Sequence, residues 1–242
     1  MAYLDDPEPD PSPAPAPAKR QNPVRRMAAG FTAGAITFFA RLITAVRVEW
    51  RDNDPTTPRR RIYFANHNSH GDFILIWAAL PPRMRALTRP VAGSDYWGGT
   101  GIKGFVGSDV FNAVLIDRDP ANRTADPVAI MAEALDAGGS LIMFPEGTRN
   151  LTDAKLLPFR SGLFHLARAR PDVDLVPVWI ENLNRVMPKG EIIPVPIMCK
   201  VTIGPAMWLE RDEDKDDFLT RTRDALLDLA PQPLDDTAEG GA

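Results

Sequence analysis

Short apolar runs alternate with helical patterns along this chain, and that alternation limits what it can fold into. Arg61-Ile62-Tyr63-Phe64-Ala65, Asn112 to Ile116, Ser140-Leu141-Ile142-Met143-Phe144 and the runs near Leu175 and Pro196 read as short buried strands. Between them lie four helical stretches. Phe73 to Leu80 is stopped by Pro81-Pro82, and Asp126 to Ala137 is ended by Gly138-Gly139; Ser161 to Arg170 and the amphipathic Phe218 to Leu229 complete the set. Strands alternating with helices predict an α/β fold with a mainly parallel central sheet flanked by helices. A chain of 242 residues suits one such domain with tails, and no internal repeat is visible.

Two segments at strand ends carry the chemistry. In Asn66-His67-Asn68-Ser69-His70-Gly71-Asp72 a histidine and an aspartate stand five positions apart. On one regular helix they would point about 140° apart, so they can meet only if His67 sits on a turn and Asp72 opens the helix. Asn68, Ser69 and Gly71 are turn and cap residues that suit this. A neutral imidazole takes a hydroxyl proton near neutral pH, and a carboxylate on its other nitrogen fixes the tautomer. In the second segment, Phe144-Pro145-Glu146-Gly147-Thr148-Arg149, Pro145 ends the strand and Gly147 allows a close backbone approach. Thr148 adds a hydroxyl, and Arg149 offers a planar fork of donors to a phosphate. Glu146 can accept from an acceptor hydroxyl or hold Arg149 in place. His70 is the local competitor for the base; it is expected to orient the turn or face solvent. His165 lies in a helical stretch and is expected to be structural.

Taken together and in order, the two segments resemble the signature of the 1-acylglycerol-3-phosphate acyltransferase family, the membrane-associated glycerolipid and lysophospholipid acyltransferases. Weaker blocks join them. Val114-Leu115-Ile116-Asp117-Arg118 resembles the family's strand ending in a substrate-binding arginine. Leu175-Val176-Pro177-Val178-Trp179-Ile180 resembles its proline-containing strand, and Lys155 to Gly162 resembles the stretch after its acidic motif. The resemblance runs from about Arg61 to about Ile203, and several ordered blocks are far more specific than one.

The resemblance implies the glycerolipid acyltransferase fold, with His67 and Asp72 catalytic and Arg118, Glu146, Gly147, Thr148 and Arg149 binding substrate. It implies acyl transfer from acyl-coenzyme A or acyl carrier protein, as co-substrate rather than cofactor, to the free hydroxyl of a lysophospholipid acceptor. The first expectation is 1-acyl-glycerol-3-phosphate giving phosphatidate. Acylation of another lysolipid, such as an ornithine lipid precursor, and a non-catalytic lipid-binding relative are the alternatives. One departure stands out. Where many members carry a Lys-Glu pair, this chain reads Ala92-Gly93-Ser94-Asp95-Tyr96-Trp97; either Lys103 replaces it in space or the acceptor is held differently.

Other chemistries are excluded by context. Gly99-Thr100-Gly101-Ile102-Lys103-Gly104 matches the dinucleotide fingerprint, but Ser94 to Trp97 is a poor strand to precede it. There is no G-x-S-x-G elbow. Neither a metal-ligand cluster nor an aromatic-interleaved basic motif for nucleic acid is present. The single Cys199 rules out an intramolecular disulfide framework and sits in a strand-like run, as a core thiol would.

The formal net charge of −4 hides an asymmetry. Acids concentrate at both ends, which leaves residues 19–209 with 24 bases against 17 acids. A basic body suits a phospholipid membrane surface and phosphorylated substrates; Arg59 to Arg61, Arg83, Arg85 and Arg89 lie close to His67 in sequence. Residues 1–22 form a Pro/Ala-rich tail that cannot pack a core, and 231–242 form an acidic tail. Within 23–48 an apolar stretch, Met27 to Val46, is flanked by Arg25-Arg26 and Arg47. Its glycines, alanines and threonines favour a membrane-anchoring helix lying in the interface over a true span. Residues 49–230 are then the acyltransferase domain, held at the cytoplasmic face of a bacterial inner membrane.

Overall fold

The computed structural model describes residues 22–54, 57, 59–99, 101–117, 119, 125–181 and 199–231. Both expected tails, except Asn22 and Pro231, lie outside the described residues, as does Arg118. A seven-stranded sheet forms the centre, in the order β1 (Arg47–Trp50), β7 (Lys200–Ile203), β6 (Asp174–Glu181), β2 (Arg61–Ala65), β5 (Ser140–Met143), β3 (Thr88–Gly93), β4 (Val114–Ile116). Every neighbouring pair is parallel except β6 with β7.

Helices cover both faces. Alternate residues of each strand point into separate cores. Ile62, Phe64, Leu141, Met143 and Leu175 face one core with α6 (Pro127–Asp136), α7 (Gly162–Ala169) and α8 (Lys215–Leu227). Tyr63, Ala65, Ile142, Val176 and Val178 face the other with α2 (Asp72–Ala79) and one side of α1 (Pro23–Thr44). This is why the strands read as unbroken apolar runs. Ile62, Phe64, Leu141 and Ile142 are 0% exposed. Burial of each such side chain stabilises the fold by about 1.5–3 kcal/mol.

Two strands were not visible in the sequence. β3 contains Arg89, Pro90 and Gly93, which argue against a strand. The register explains how Pro90 is tolerated: Thr88–Pro90 pair with β5, and Val91–Gly93 pair with β4. Neither side requires a complete ladder at the proline. β1 is short, partly exposed and at the edge. Between β3 and β4 the chain forms α4 (Ser94–Trp97), α5 (Ile102–Phe105) and a π-helical turn at Val106–Val110. The short α3 (Pro82–Leu87) follows α2 directly.

α1 lies against α2 and the π-helical turn. Ala33 and Ile36 pack on the core, while Val24, Met27, Phe31, Phe38 and Phe39 stay exposed. No helix among the described residues is long and apolar enough to cross a membrane. Near the end of α1 the Arg41 guanidinium donates to the Ala78 carbonyl at the end of α2.

The basic run near His67 in sequence is separated from it in space. Arg61 starts β2 and His67 follows its end, so the five-residue strand, roughly 16 Å long, lies between them. Arg61 is buried, donating to the Asp54 carbonyl, and Arg85 caps the carbonyls of Ala78 and Leu80. Arg89 donates to the Asn112 carbonyl. These arginines serve the fold.

Candidate active site

The site lies where β2 and β5, adjacent in the sheet, release their chains at the carboxyl ends. After β2 the chain passes to α2 on one face; after β5 it passes to α7 on the other. Chains diverging this way open a crevice, the usual ligand position in an open α/β sheet.

Asn66 sets the exit from β2. It is 1% exposed, and its side chain pairs with both the N–H and the C=O of Ile180, at 2.8 and 3.0 Å. The amide takes the place of a further strand residue. His67 follows on the turn, and Asp72 is the first residue of α2, as the spacing requires. His67 Nδ1 and Asp72 Oδ2 are 2.8 Å apart. The same oxygen accepts the backbone N–H groups of Asn68 and Ser69, at 2.7 and 2.8 Å. The Asp72 side chain is 1% exposed and the His67 side chain 20%. An ionised Asp72 accepts only, so Nδ1 carries the proton and Nε2 presents a lone pair. Phe144 stacks on the imidazole, with ring centroids 4.1 Å apart and planes 15° apart.

Glu146 is buried beneath this turn. Oε1 accepts the His67 N–H and Oε2 accepts the Leu157 N–H, each at 2.8 Å. Burial raises its pKa above the ordinary carboxylate value, against the lowering effect of those two N–H donors. The carboxylate does not pair with Arg149; its two oxygens brace the main chain at His67 and Leu157. Asn150 completes the brace by donating its N–H to the His67 carbonyl at 2.6 Å. Gly147 has φ +71°, and a Cβ there would lie 2.5 Å from Cδ of Arg160, which packs across the turn. Thr148 is exposed beside it.

Arg149 is half-buried and makes no hydrogen bond or ion pair among the described residues. Its charge reaches His70: burial first, then Arg149, draws the His70 pKa below 6.5. His70 is exposed and stacks on Tyr96, with centroids 5.7 Å apart. His165 is exposed on α7, against Phe164. Cys199 is buried in the core, and burial raises its thiol pKa to about 11.

Sequence reasoning brought His67, Asp72 and the 144–149 turn to one place. It missed the bracing by Asn66, Asn150 and Leu157. Phe144 and Asn66 stood inside the quoted motifs, but their partners are distant in the chain and no local pattern reveals them.

Comparison with known proteins covers the same segment. The Acyltransferase family profile matches residues 45–181. The 1-acyl-sn-glycerol-3-phosphate acyltransferase of Limnanthes douglasii is 30% identical over 197 residues, covering 75% of this chain and 64% of the relative. The chain thus spans just under two thirds of that relative's length. The alpha enzyme of the same name from Mus musculus is 28% identical over 214 residues, covering 84% of this chain and 70% of the relative. The crystal structure of the 1-acyl-sn-glycerophosphate acyltransferase from Thermotoga maritima superposes with a TM-score of 0.62 at 20% identity, covering 85% and 81% of the two chains. At that identity the likeness is one of fold. The profile spans more than half of the chain and contains β2, the histidine–aspartate pair and the glutamate brace, and on that basis the chain belongs to the acyltransferase family.

Proposed function

We propose that this protein moves a fatty acyl group from a thioester donor, on coenzyme A or acyl carrier protein, to the free hydroxyl of a lysophospholipid, with 1-acyl-glycerol-3-phosphate as acceptor and phosphatidate as product. The observation that carries this reading is His67 Nδ1 held at 2.8 Å from a buried Asp72, with Arg149, unpaired among the described residues, on the adjoining turn. The acceptor phosphate is held by Arg149, with Arg118 as a second candidate. His67 Nε2 takes the acceptor's hydroxyl proton while Asp72 steadies the imidazolium. The oxygen attacks the thioester carbonyl, the C–O bond forms and the C–S bond breaks. The departing thiolate receives the proton from His67, so no covalent acyl-enzyme is needed. A hydrolase would have no use for an arginine reserved for a phosphate.

The reaction also needs access to lipid. The exposed Val24, Met27, Phe31, Phe38 and Phe39 of α1, followed by a basic body, suit a helix lying in the interface at the cytoplasmic face of the membrane. The test is a panel of lysolipids, lysophosphatidate and a lyso-ornithine lipid among them, with acyl-coenzyme A and acyl carrier protein donors and products read by mass. Acylated lysophosphatidate that disappears with His67→Ala is expected. Activity surviving in His67→Ala, or no acyl transfer with any acceptor, would overturn the reading.

A further inference from the structure

Two guanidinium groups converge where α2 ends. Arg41 of α1 donates from Nε and Nη2 to the Ala78 carbonyl oxygen, at 3.2 and 2.9 Å, and Arg85 of α3 donates to the same oxygen at 3.4 Å. Arg85 also bonds the Leu80 carbonyl at 2.9 Å and the Thr37 hydroxyl at 3.2 Å, and its Nε is buried with no partner among the described residues. Neither arginine pairs with a carboxylate among the described residues. The carboxyl end of a helix offers roughly half an elementary negative charge, so two arginines leave about 1.5 positive charges unbalanced there. Burial first, and then the Arg41 charge, lowers the Arg85 pKa. Capping α2 accounts for one cation; the second has an anion as its natural complement.

The surroundings select the kind of anion. Arg41 is exposed, and its Nη1 makes no bond among the described residues. Phe38 and Phe39, just before it, are exposed apolar side chains on the helix read above as interfacial. On one flank of the same seam, Phe31, Ala35, Ile36, Phe39 and Ala40 of α1 and Ile74 of α2 line an open apolar groove of about 400 Å³. Ile74 and Ala78 lie one turn apart on α2, about 6 Å along its axis, so the groove runs out beside the two arginines. An anionic head with an apolar chain matches this order of surfaces, whereas a free anion leaves the groove unused. Asp72 stands at the opposite end of α2, about 9 Å away along the axis, which separates these arginines from the acyl-transfer crevice.

We propose that Arg41 and Arg85 form a site for the phosphate of an anionic phospholipid of the bilayer, with one chain of that lipid along the α1–α2 groove. Arg41 is the exposed contact and Arg85 the half-buried charge behind it. The lipid is a resident of the membrane rather than a reactant, and it fixes how α1 sits on the surface. The inference rests on the interfacial placement of α1 and deepens it.

The test is cosedimentation of the full chain with vesicles of phosphatidylcholine alone and of phosphatidylcholine mixed with phosphatidylglycerol. Arg41→Gln is expected to weaken binding to the mixed vesicles roughly ten- to a hundredfold, as loss of a charge-assisted contact does. Arg26→Gln removes an exposed charge from the same helix and should cost only about fivefold. Arg85 still caps Ala78 in Arg41→Gln, so the fold and the turnover of a detergent-dispersed acceptor should be retained. A second measurement uses short-chain phosphatidylglycerol dispersed as monomers. At about ten times its Kd it should raise the melting temperature of the intact chain by about 3–6 °C. It should not do so for Arg41→Gln, or for Ala35→Leu, which narrows the groove; inorganic phosphate should not do so for the intact chain. Equal losses in Arg41→Gln and Arg26→Gln would reduce the effect to general surface attraction. Stabilisation by inorganic phosphate as large as that by the lipid would make this a free-anion site. Either result overturns the proposal and leaves the interfacial helix standing. An intact chain that ignores both kinds of vesicle removes the interfacial placement as well.

Discussion

Glu146 accepts the backbone N–H of His67 at 2.8 Å, reaching across from the loop after a neighbouring strand. The family's two signature segments are joined here by a side chain of one on the main chain of the other, with the glutamate's other oxygen on the Leu157 N–H. Glutamine at 146 offers one acceptor oxygen where two N–H groups need one each. Glu146→Gln should therefore destabilise the protein by about 1–3 kcal/mol and lower kcat more than it raises either KM. Thermal unfolding and steady-state kinetics check this. A raised acceptor KM with an unchanged melting temperature would instead give Glu146 a direct substrate contact.

Asp72 gathers three donors on a single oxygen. Asparagine keeps the shape and removes the charge that stabilises an imidazolium. We expect Asp72→Asn to lower kcat by about 10²–10⁴, as loss of general-base function does, with the acceptor KM little changed. Near-normal turnover would show that the pair is only a cap on α2.

Gly147 adopts φ +71° with Arg160 packed over it. Arg160 is exposed and can swing aside, so the backbone carries the remaining cost for a side chain at 147. Gly147→Ala should lose about 1–3 kcal/mol, seen in chemical denaturation, and should raise the acceptor KM because Arg149 shifts with the turn. Wild-type stability would mean that the turn relaxes without strain.

Arg149 offers a fork that lysine lacks. Arg149→Lys should raise the KM for a phosphorylated acceptor and leave the donor KM nearly unchanged; Arg149→Ala should do more. The two Michaelis constants and the melting temperature of each variant decide the matter. Equal effects on donor and acceptor would remove Arg149 from the phosphate site.

Phe31 and Phe39 are 82% and 56% exposed on α1. Deleting residues 1–46 would also strip Ala33 and Ile36 from the core, so surface substitution is the cleaner experiment. The pair Phe31→Ser and Phe39→Ser should weaken partition into anionic vesicles by roughly a hundredfold or more with the melting temperature retained. What binding remains should be abolished by salt, which screens charge but not buried apolar area. Cosedimentation equal to that of the intact chain would refute an interfacial helix.

Much of the sheet is legible in the sequence because its central strands are buried on both faces. Arg61–Ala65 and Ser140–Met143 read as apolar runs for that reason. β3 is not legible, since its partners change at Pro90 and only the register shows that this is tolerated. The five-residue spacing required His67 to sit on a turn and Asp72 to open a helix, and the structure places them so. The purpose of Glu146 was hidden because it depends on β2 lying next to β5, a pairing between segments about eighty residues apart. Tyr96 stood in a region noticed mainly for a missing lysine, and its stacking on His70 follows from three-dimensional packing alone.

Asn66 matches its amide to both main-chain groups of Ile180, and this fixes more than an exit angle. A terminus of a strand ordinarily frays, opening and closing far more often than the interior. Here the last turn before the histidine is sewn to β6 on one side by Asn66 and to the β5 loop on the other by Glu146 and Asn150. The histidine's turn consequently shares the lifetime of the sheet itself. Heat or denaturant should therefore meet it as part of the global transition.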